Sequence, residues 1–217
     1  MTEELENQLK TSKGRKIFAD YLSENFENSD EMLEKFDKLT EMYLEVLAVT
    51  NISAIKEIDD IYIKHYLDSI YPYKYFSGCC CDVGCGGGFP CIPLSAVTDC
   101  KFLGIDGVAK KLVLIDKCAA ALGLNIKSLH ARAEELKRTE RRFDTVCARA
   151  VGDMDKVLSY CAPLCKKSGK IVLYKTQTEE RATKSTEQKL NISLVEIKDY
   201  TLPGTDIDRR LFVYEKI

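Results

Sequence analysis

The stretch Cys79-Cys80-Cys81-Asp82-Val83-Gly84-Cys85-Gly86-Gly87-Gly88-Phe89-Pro90-Cys91-Ile92-Pro93 constrains this chain more than any other. A short apolar run ends in an acid, breaks into four glycines within five positions, and resumes an apolar pattern between prolines. That is the order of strand, tight turn and helix. Glycine there permits positive φ and lets a ligand come close to the main chain, while a helix start leaves N–H groups unpaired. The turn thus predicts a bound group with a polar or charged part. The residues also admit a plainer reading, a glycine-rich turn selected by close backbone packing alone.

After the turn the chain alternates strand-like and helix-like pieces, the rhythm of a parallel sheet with crossover helices. Phe102 to Ile105 is a strand ending at Asp106, and Ala109 to Ala121 is helical. Ile126 to His130 is a strand followed by a helical Ala133 to Arg138, and Phe143 to Ala148 is the next strand. Met154 to Leu164 reads as helix, Lys170 to Tyr174 as a strand after the Ser168-Gly169 turn, and Thr178 to Leu190 as a polar helix. Leu194 to Tyr200 and Leu211 to Glu215, joined by Leu202-Pro203-Gly204, form a closing hairpin, so the sheet has an antiparallel edge strand. Ahead of the turn, Ile17, Tyr21 and Leu22, then Met32, Leu33, Phe36, Leu39, Tyr43, Leu44 and Leu47 recur at helical spacing, with Asn28-Ser29-Asp30 as turn and N-cap. The expectation is an N-terminal helical extension over 1–70 and a ligand-binding α/β domain over 71–217.

In an open α/β sheet the ligand lies beyond the carboxyl ends of the strands, where strand order reverses. The candidate residues therefore follow the strands: Asp82, Gly84, Gly86, Gly88 and Phe89, then Asp106, then Arg132, Ala133 and Glu134, then Arg149 and Lys175. Gly84-x-Gly86-x-Gly88 departs from the dinucleotide fingerprint, whose third glycine would fall at Phe89, and fits better the nucleoside-binding turn of S-adenosylmethionine-dependent methyltransferases. Asp106, 22 residues after Gly84, stands where a carboxylate can accept from both hydroxyls of a ribose, although an N-cap or a simple turn at Asp106-Gly107 is the alternative. Ala133 and Glu134 stand where they can frame an adenine. Arg149, between two alanines at a strand end, suits bidentate capture of a carboxylate or phosphate, or else a salt bridge. His65 reads either as a partly buried structural histidine or as a catalyst.

Composition narrows the partner. The net charge of −2 hides 8 Lys/Arg against 16 Asp/Glu in residues 1–70 and 24 against 18 in residues 71–217, so a polyanion would meet the second part. Lys110, Lys111, Arg132, Lys137, Arg138, Arg141, Arg142, Lys166, Lys167, Lys175, Arg209 and Arg210 make up the candidate basic surface. Ten cysteines with no Cys-x-x-Cys pair and two histidines point to small buried apolar residues in a reducing compartment, with no metal site. No apolar run is long enough to span a bilayer and the polar start is no signal peptide, so a soluble, cytoplasmic protein is expected; a monomer is expected as well.

Several motifs resemble one family. Asn51-Ile52-Ser53-Ala54-Ile55, Lys64-His65-Tyr66-Leu67-Asp68-Ser69, the Asp82 to Leu94 turn, Arg132-Ala133-Glu134-Glu135, Ala148-Arg149-Ala150, Lys175-x-Gln177 and Arg209-x-Leu211 occur in that order in this chain. The series is similar to that of the ribosomal small-subunit methyltransferase G family, also called glucose-inhibited division protein B, from Ile17 onward. The resemblance implies a Rossmann-like class I S-adenosylmethionine-dependent methyltransferase with a mostly parallel seven-stranded sheet. It implies methylation of N7 of one guanine (position 527 in customary numbering, in the 530 loop) of 16S ribosomal RNA. It further implies S-adenosylmethionine held by the positions of Gly84, Phe89, Ala133, Glu134 and Arg149 with Asp106. Arg132, Lys175 and Arg209 are then RNA contacts, with Arg149 and Lys175 at the reacting centre, and the partner is 16S rRNA or the small subunit, with no membrane or DNA. Two departures stand in this chain, Cys91 for a glycine after Phe89-Pro90 and Thr176 for the glycine of Lys-Gly-Gln.

Overall fold

The computed structural model describes residues 2–136, 142–150 and 152–217. Three helices open the chain: α1 Glu3–Thr11, α2 Lys13–Asn25 and α3 Ser29–Val49. The first lies in the stretch read above only as a polar start. Thr2 caps it through a bond from the Leu5 N–H, Glu3, Glu4 and Glu6 occupy its first turn and Lys10 its last, and only Leu5 and Leu9 are buried. Caps and charge placement favourable to the helix dipole compensate for a thin apolar face. Ser12 then accepts from the Arg15 N–H and starts α2. Along α3 the buried Phe36, Leu39, Thr40, Tyr43 and Val46 keep the spacing of one helical face.

Next comes one continuous helical passage, α4 Ile58–Asp60, a π-helical segment Ile61–Leu67 and α5 Asp68–Ile70. The wider winding buries Ile61, Tyr62, Ile63, His65, Tyr66 and Leu67 together, more of the circumference than a 3.6-residue repeat would turn inward. Gly14 of α2 makes room for it, since a Cβ there would lie 2.4 Å from the Asp59 carbonyl oxygen.

The strands are β1 Cys79–Val83, β2 Lys101–Asp106, β3 Ile126–His130, β4 Phe143–Arg149, β5 Cys165–Lys175, β6 Ile192–Thr201 and β7 Asp208–Lys216. They form one sheet in the order β3-β2-β1-β4-β5-β7-β6. The first five are parallel, and β7 runs antiparallel to both β5 and β6. Between them lie α6 Cys91–Val97, α7 Val113–Leu122, α8 Ala133–Leu136, α9 Met154–Cys161 and α10 Lys184–Leu190. Three expected helices are shorter than read, that over Met154 to Leu164 ending as α9 at Cys161 and closing in a 3-10 turn, Ala162–Leu164. The passage from Ala109 opens with a 3-10 turn, Ala109–Lys111, before α7. The polar helix begins at Lys184 instead of Thr178, capped by Thr183, which accepts from the Thr186 N–H. Residues 176–183 lack an apolar stripe to hold a helix, and their polar groups bond locally, as in the 2.9 Å contact of the Thr176 and Thr178 hydroxyls. Lys137, Arg138 and Arg141, read above as part of a helix end and a basic surface, lie outside the described residues.

Two apolar layers cover the sheet. One runs from Leu5, Phe18 and Tyr43 of the N-terminal helices through Tyr66 to Ile92, Leu114 and Phe102. The other joins Val83, Ile105 and Val146 to Leu158 and Phe212. All ten cysteines are free thiols, nine buried and Cys79 exposed, which fits their reading as small apolar residues. No described helix is long and apolar enough to cross a membrane.

Candidate active site

Strand order reverses between β1 and β4, and the glycine turn leaves β1 at that point. The Gly84 and Cys85 N–H groups both bond the Ile105 carbonyl, at 2.8 and 3.0 Å, which ties the turn to β2. Gly84, Gly86 and Gly88 have φ of 73°, 55° and 96°. The last two glycines serve different ends. A Cβ on Gly88 would lie 2.3 Å from Ile92 Cδ1, whereas one on Gly86 would meet nothing within 4 Å. Gly88 is there for packing, and Gly86 keeps its side of the turn bare.

Asp82 sits beneath the turn and is fully buried. Its Oδ2 accepts from the Cys91 N–H at 3.2 Å, pinning the start of α6 to the end of β1. Its Oδ1 has no hydrogen-bond partner among the described residues. Burial pushes the carboxyl up to about 6, offset in part by Cys91 and by the charge of Arg149.

Beside the turn, at the carboxyl ends of β1, β2 and β3, a cavity of about 170 Å³ is lined by Gly84, Asp106, Arg132, Ala133, Glu134 and Tyr160, among others. Asp106 Oδ2 accepts from the Gly86 N–H at 2.9 Å and Oδ1 from the Val108 N–H at 2.8 Å. A carboxylate has about four acceptor sites, so one on each oxygen remains for two further donors, the number a ribose presents. Bare main chain at Gly86, a fixed carboxylate and the small Ala133 thus fit a nucleoside.

A second cavity, of about 410 Å³, opens on the other side of β4 between the π-helical segment and β5, lined by Lys64, His65, Asp68, Arg149, Lys175 and Arg209, among others. Asp68 organises it. Its Oδ2 faces Arg149 Nη1 at 3.3 Å and its Oδ1 accepts from Arg209 Nε at 3.0 Å. Arg149 Nη1 also donates to the Lys64 carbonyl at 2.9 Å, and its Nη2 lies 3.3 Å from His65 Nδ1. Lys175 Nζ donates to the Gly152 carbonyl at 2.8 Å and pairs with Glu179 at 2.7 Å. His65 stacks flat on Phe89, centroids 4.0 Å apart and planes at 9°, and burial, with the charge of Arg149, pushes it down to about 3. The imidazole is therefore neutral near pH 7.

The candidates thus divide into groups. Gly84, Asp106, Arg132, Ala133 and Glu134 line the first cavity, and Arg149, Lys175 and Arg209 the second. Arg132 is parted from the two basic residues with which the resemblance groups it. Arg149, read both as a cofactor residue and at the reacting centre, lines the second cavity, while Asp82 and Phe89 support the turn from below and behind. Of the wider basic surface, Arg210 is bound to Asp199 and Lys166 to Asp144. Sequence reasoning missed Tyr160, Asp68 as the bridge between two arginines, and the Tyr43 and Ser53 hydroxyls at His65 Nε2, 3.2 and 3.0 Å away. The sequence signals for these were the motif that holds Ser53 and the one that brings His65 and Asp68 close on one short stretch, neither of which says what the side chains touch.

The sheet order, the glycine turn after β1 and the carboxylate at the end of β2 define a Rossmann-like class I methyltransferase fold. Solved structures share it. The magnesium protoporphyrin IX methyltransferase from Synechocystis with bound SAM superposes with a TM-score of 0.55 at 14% identity, covering 82% of this chain and 97% of that one. TehB from Haemophilus influenzae gives 0.52 at 14%, covering 82% and 67%. Residues 32–212 match the family described as GidB, rRNA small subunit methyltransferase G, and the chain belongs to that family. The protein of Lactobacillus helveticus named ribosomal RNA small subunit methyltransferase G is 34% identical over 216 residues, covering 93% of this chain and 90% of that one. That of Exiguobacterium sibiricum with the same name is 34% identical over 207 residues, covering 89% and 86%.

Proposed function

We propose that this chain is an S-adenosylmethionine-dependent methyltransferase that methylates N7 of one guanine, position 527 in the 530 loop, of 16S ribosomal RNA. The single observation that supports it most is the juxtaposition of two different cavities at one switch point. One offers bare main chain and a carboxylate suited to a nucleoside, and the other a cluster of arginine and lysine suited to a phosphate-bearing substrate. Relatives named for the small-subunit rRNA supply the substrate class.

Gly84, Asp106, Ala133 and Glu134 would hold the cofactor, which when bound supplies an electrophilic methyl group. Arg149, Lys175 and Arg209 would bind and orient the RNA. Guanine N7 carries a lone pair in the ring plane, so no proton has to be removed before it attacks. The neutral, hydrogen-bonded His65 and the paired Asp68 and Glu179 need not serve as general base. Catalysis then consists mainly of alignment, to which positioning contributes several kcal/mol. Product guanine is cationic, and the carboxylates of Asp68 and Glu179 at the cavity wall keep the cluster from being uniformly positive. The protein would work in the cytoplasm as a single copy on 16S rRNA or the small subunit, apart from membrane and DNA.

Borohydride reduction and aniline cleavage of 16S rRNA from a strain lacking the gene tests the proposal. Cleavage at the 530-loop guanine should vanish and return on complementation. Unchanged cleavage in the deletion strain would refute it.

A further inference from the structure

His65 touches both halves of the site, as does Arg149, whose guanidinium carbon lies 5.9 Å from the centre of the Phe89 ring. The His65 ring lies flat on Phe89 at the end of the glycine turn, with Tyr43 edge-on to both rings at 5.4 and 5.8 Å. Its two nitrogens face different elements. Nδ1 faces Arg149 Nη2 at 3.3 Å, and a guanidinium nitrogen is a donor with no acceptor capacity. Nδ1 must therefore accept, and the proton resides on Nε2. That nitrogen faces the Ser53 hydroxyl at 3.0 Å and the Tyr43 hydroxyl at 3.2 Å. Both oxygens have room for it: the Tyr43 O–H already donates to the Ile55 carbonyl at 2.6 Å and leaves its lone pairs free, and the Ser53 oxygen, which accepts from the Ile55 N–H at 3.1 Å, keeps a second lone pair. The hydrogen-bond pattern fixes one tautomer. A doubly protonated ring would turn an N–H toward a cation.

We infer that His65 is a positioning residue: as the Nε2–H tautomer it accepts from Arg149, aims that guanidinium along the second cavity, and joins it to the Phe89 end of the glycine turn. Asp68 and the Lys64 carbonyl hold Nη1 of Arg149, so His65 fixes the second branch of the fork and with it the plane of the guanidinium. The consequence for catalysis rests on the proposed methyl transfer to RNA; the tautomer and the contact do not.

Two variants separate the ring from its nitrogens. His65→Phe keeps a flat ring against Phe89 but cannot accept from Arg149. His65→Gln gives up the stacking but keeps one acceptor and one donor. With 30S particles as substrate, His65→Phe should lower kcat/KM about tenfold or more while the calorimetric Kd for S-adenosylmethionine stays within about threefold. His65→Gln should recover part of the loss. In an Arg149→Met background, His65→Phe should add almost nothing, since the residue acts through Arg149. A wild-type rate for His65→Phe, or losses that simply multiply in the double variant, would overturn the inference.

Nitrogen-15 spectra of the full chain need no substrate. They should show Nε2 protonated and Nδ1 bare across neutral pH, with the Nδ1 resonance moving in Arg149→Met. An Nδ1–H tautomer, or an unmoved resonance, overturns the inference even where the transfer assay succeeds. If the wild type transfers no methyl to the rRNA while the spectra behave as stated, the proposed function fails and the positioning contact stands.

Discussion

Two aspartates at the carboxyl ends of neighbouring strands, Asp82 and Asp106, have opposite surroundings and should respond oppositely to substitution. Asp106 reaches the cavity and holds one spare acceptor site on each oxygen. Asp106→Ala should raise the calorimetric Kd for S-adenosylmethionine about 10- to 100-fold, the scale of hydrogen bonds to a charged group. Asp82 is sealed below the turn, and its carboxyl is raised from 3.8 to about 6. Between those values the unfolded chain releases the proton that the folded chain keeps, so this group's contribution to stability is full below about pH 4 and is lost as pH rises toward 6. The rise corresponds to about 3 kcal/mol at roughly 1.4 kcal/mol per pKa unit. Asp82→Asn keeps an oxygen for the Cys91 N–H and does not titrate. Urea melts should show the variant gaining on the wild type by up to about 3 kcal/mol between pH 4 and pH 7, and a constant gap would show that burial does not raise this carboxyl. Arg149→Ala should cost the rRNA reaction most of its rate while the fold survives. The guanidinium contacts it abandons, to Asp68, the Lys64 carbonyl and His65, leave Asp68 with Arg209 as its remaining cationic partner among the described residues.

The turn and the π-helical segment decide the site at the level of elements. Gly88→Ala meets both a positive φ and the Ile92 side chain, so it should destabilise the fold by about 1–3 kcal/mol, measured by denaturant melts. Gly86→Ala suffers the φ alone. It should cost about 1 kcal/mol of stability, yet weaken cofactor binding by more than that, since its methyl would stand where main chain faces open space. Equal losses of stability and affinity in the two variants would show that the turn holds no ligand at Gly86. The turn was legible because glycines, a preceding acid and a following apolar run coincide within a few residues. The π-helical segment was not, since Ile61 to Ile70 reads equally well at 3.6 residues per turn and its extra winding follows from packing against α2. The Arg149 to Asp68 contact spans 81 residues of chain. No periodicity links such distant positions, so Arg149 was legible as a residue with a task and illegible as to its partner.

For the whole molecule, charge and sheet geometry act together. The acidic helices repel a polyanion and the remainder attracts it, so RNA should approach from the strand-end side of the sheet. If Arg209 contacts a phosphate, Arg209→Ala should flatten the slope of log affinity against log salt by about 0.7 to 0.9, one contact's worth, in filter-binding titrations. An unchanged slope would place that side chain in a purely internal role with Asp68. The α/β class, the parallel sheet with crossover helices and the closing hairpin were legible from alternating patterns; the strand order was not, because it depends on pairings between distant segments. The division of the basic residues was not, because Arg132 follows β3 while Arg209 opens the antiparallel β7, on opposite sides of the switch point. The thiols offer a practical handle. Nine are buried, and several have acidity further suppressed by burial, Cys118 and Cys165 being pushed up to about 12. Cys79 alone is exposed, at the amino end of β1, a full strand away from both cavities. A maleimide dye should therefore attach at one position, giving a reporter for RNA docking that leaves the ligand-bearing rim untouched.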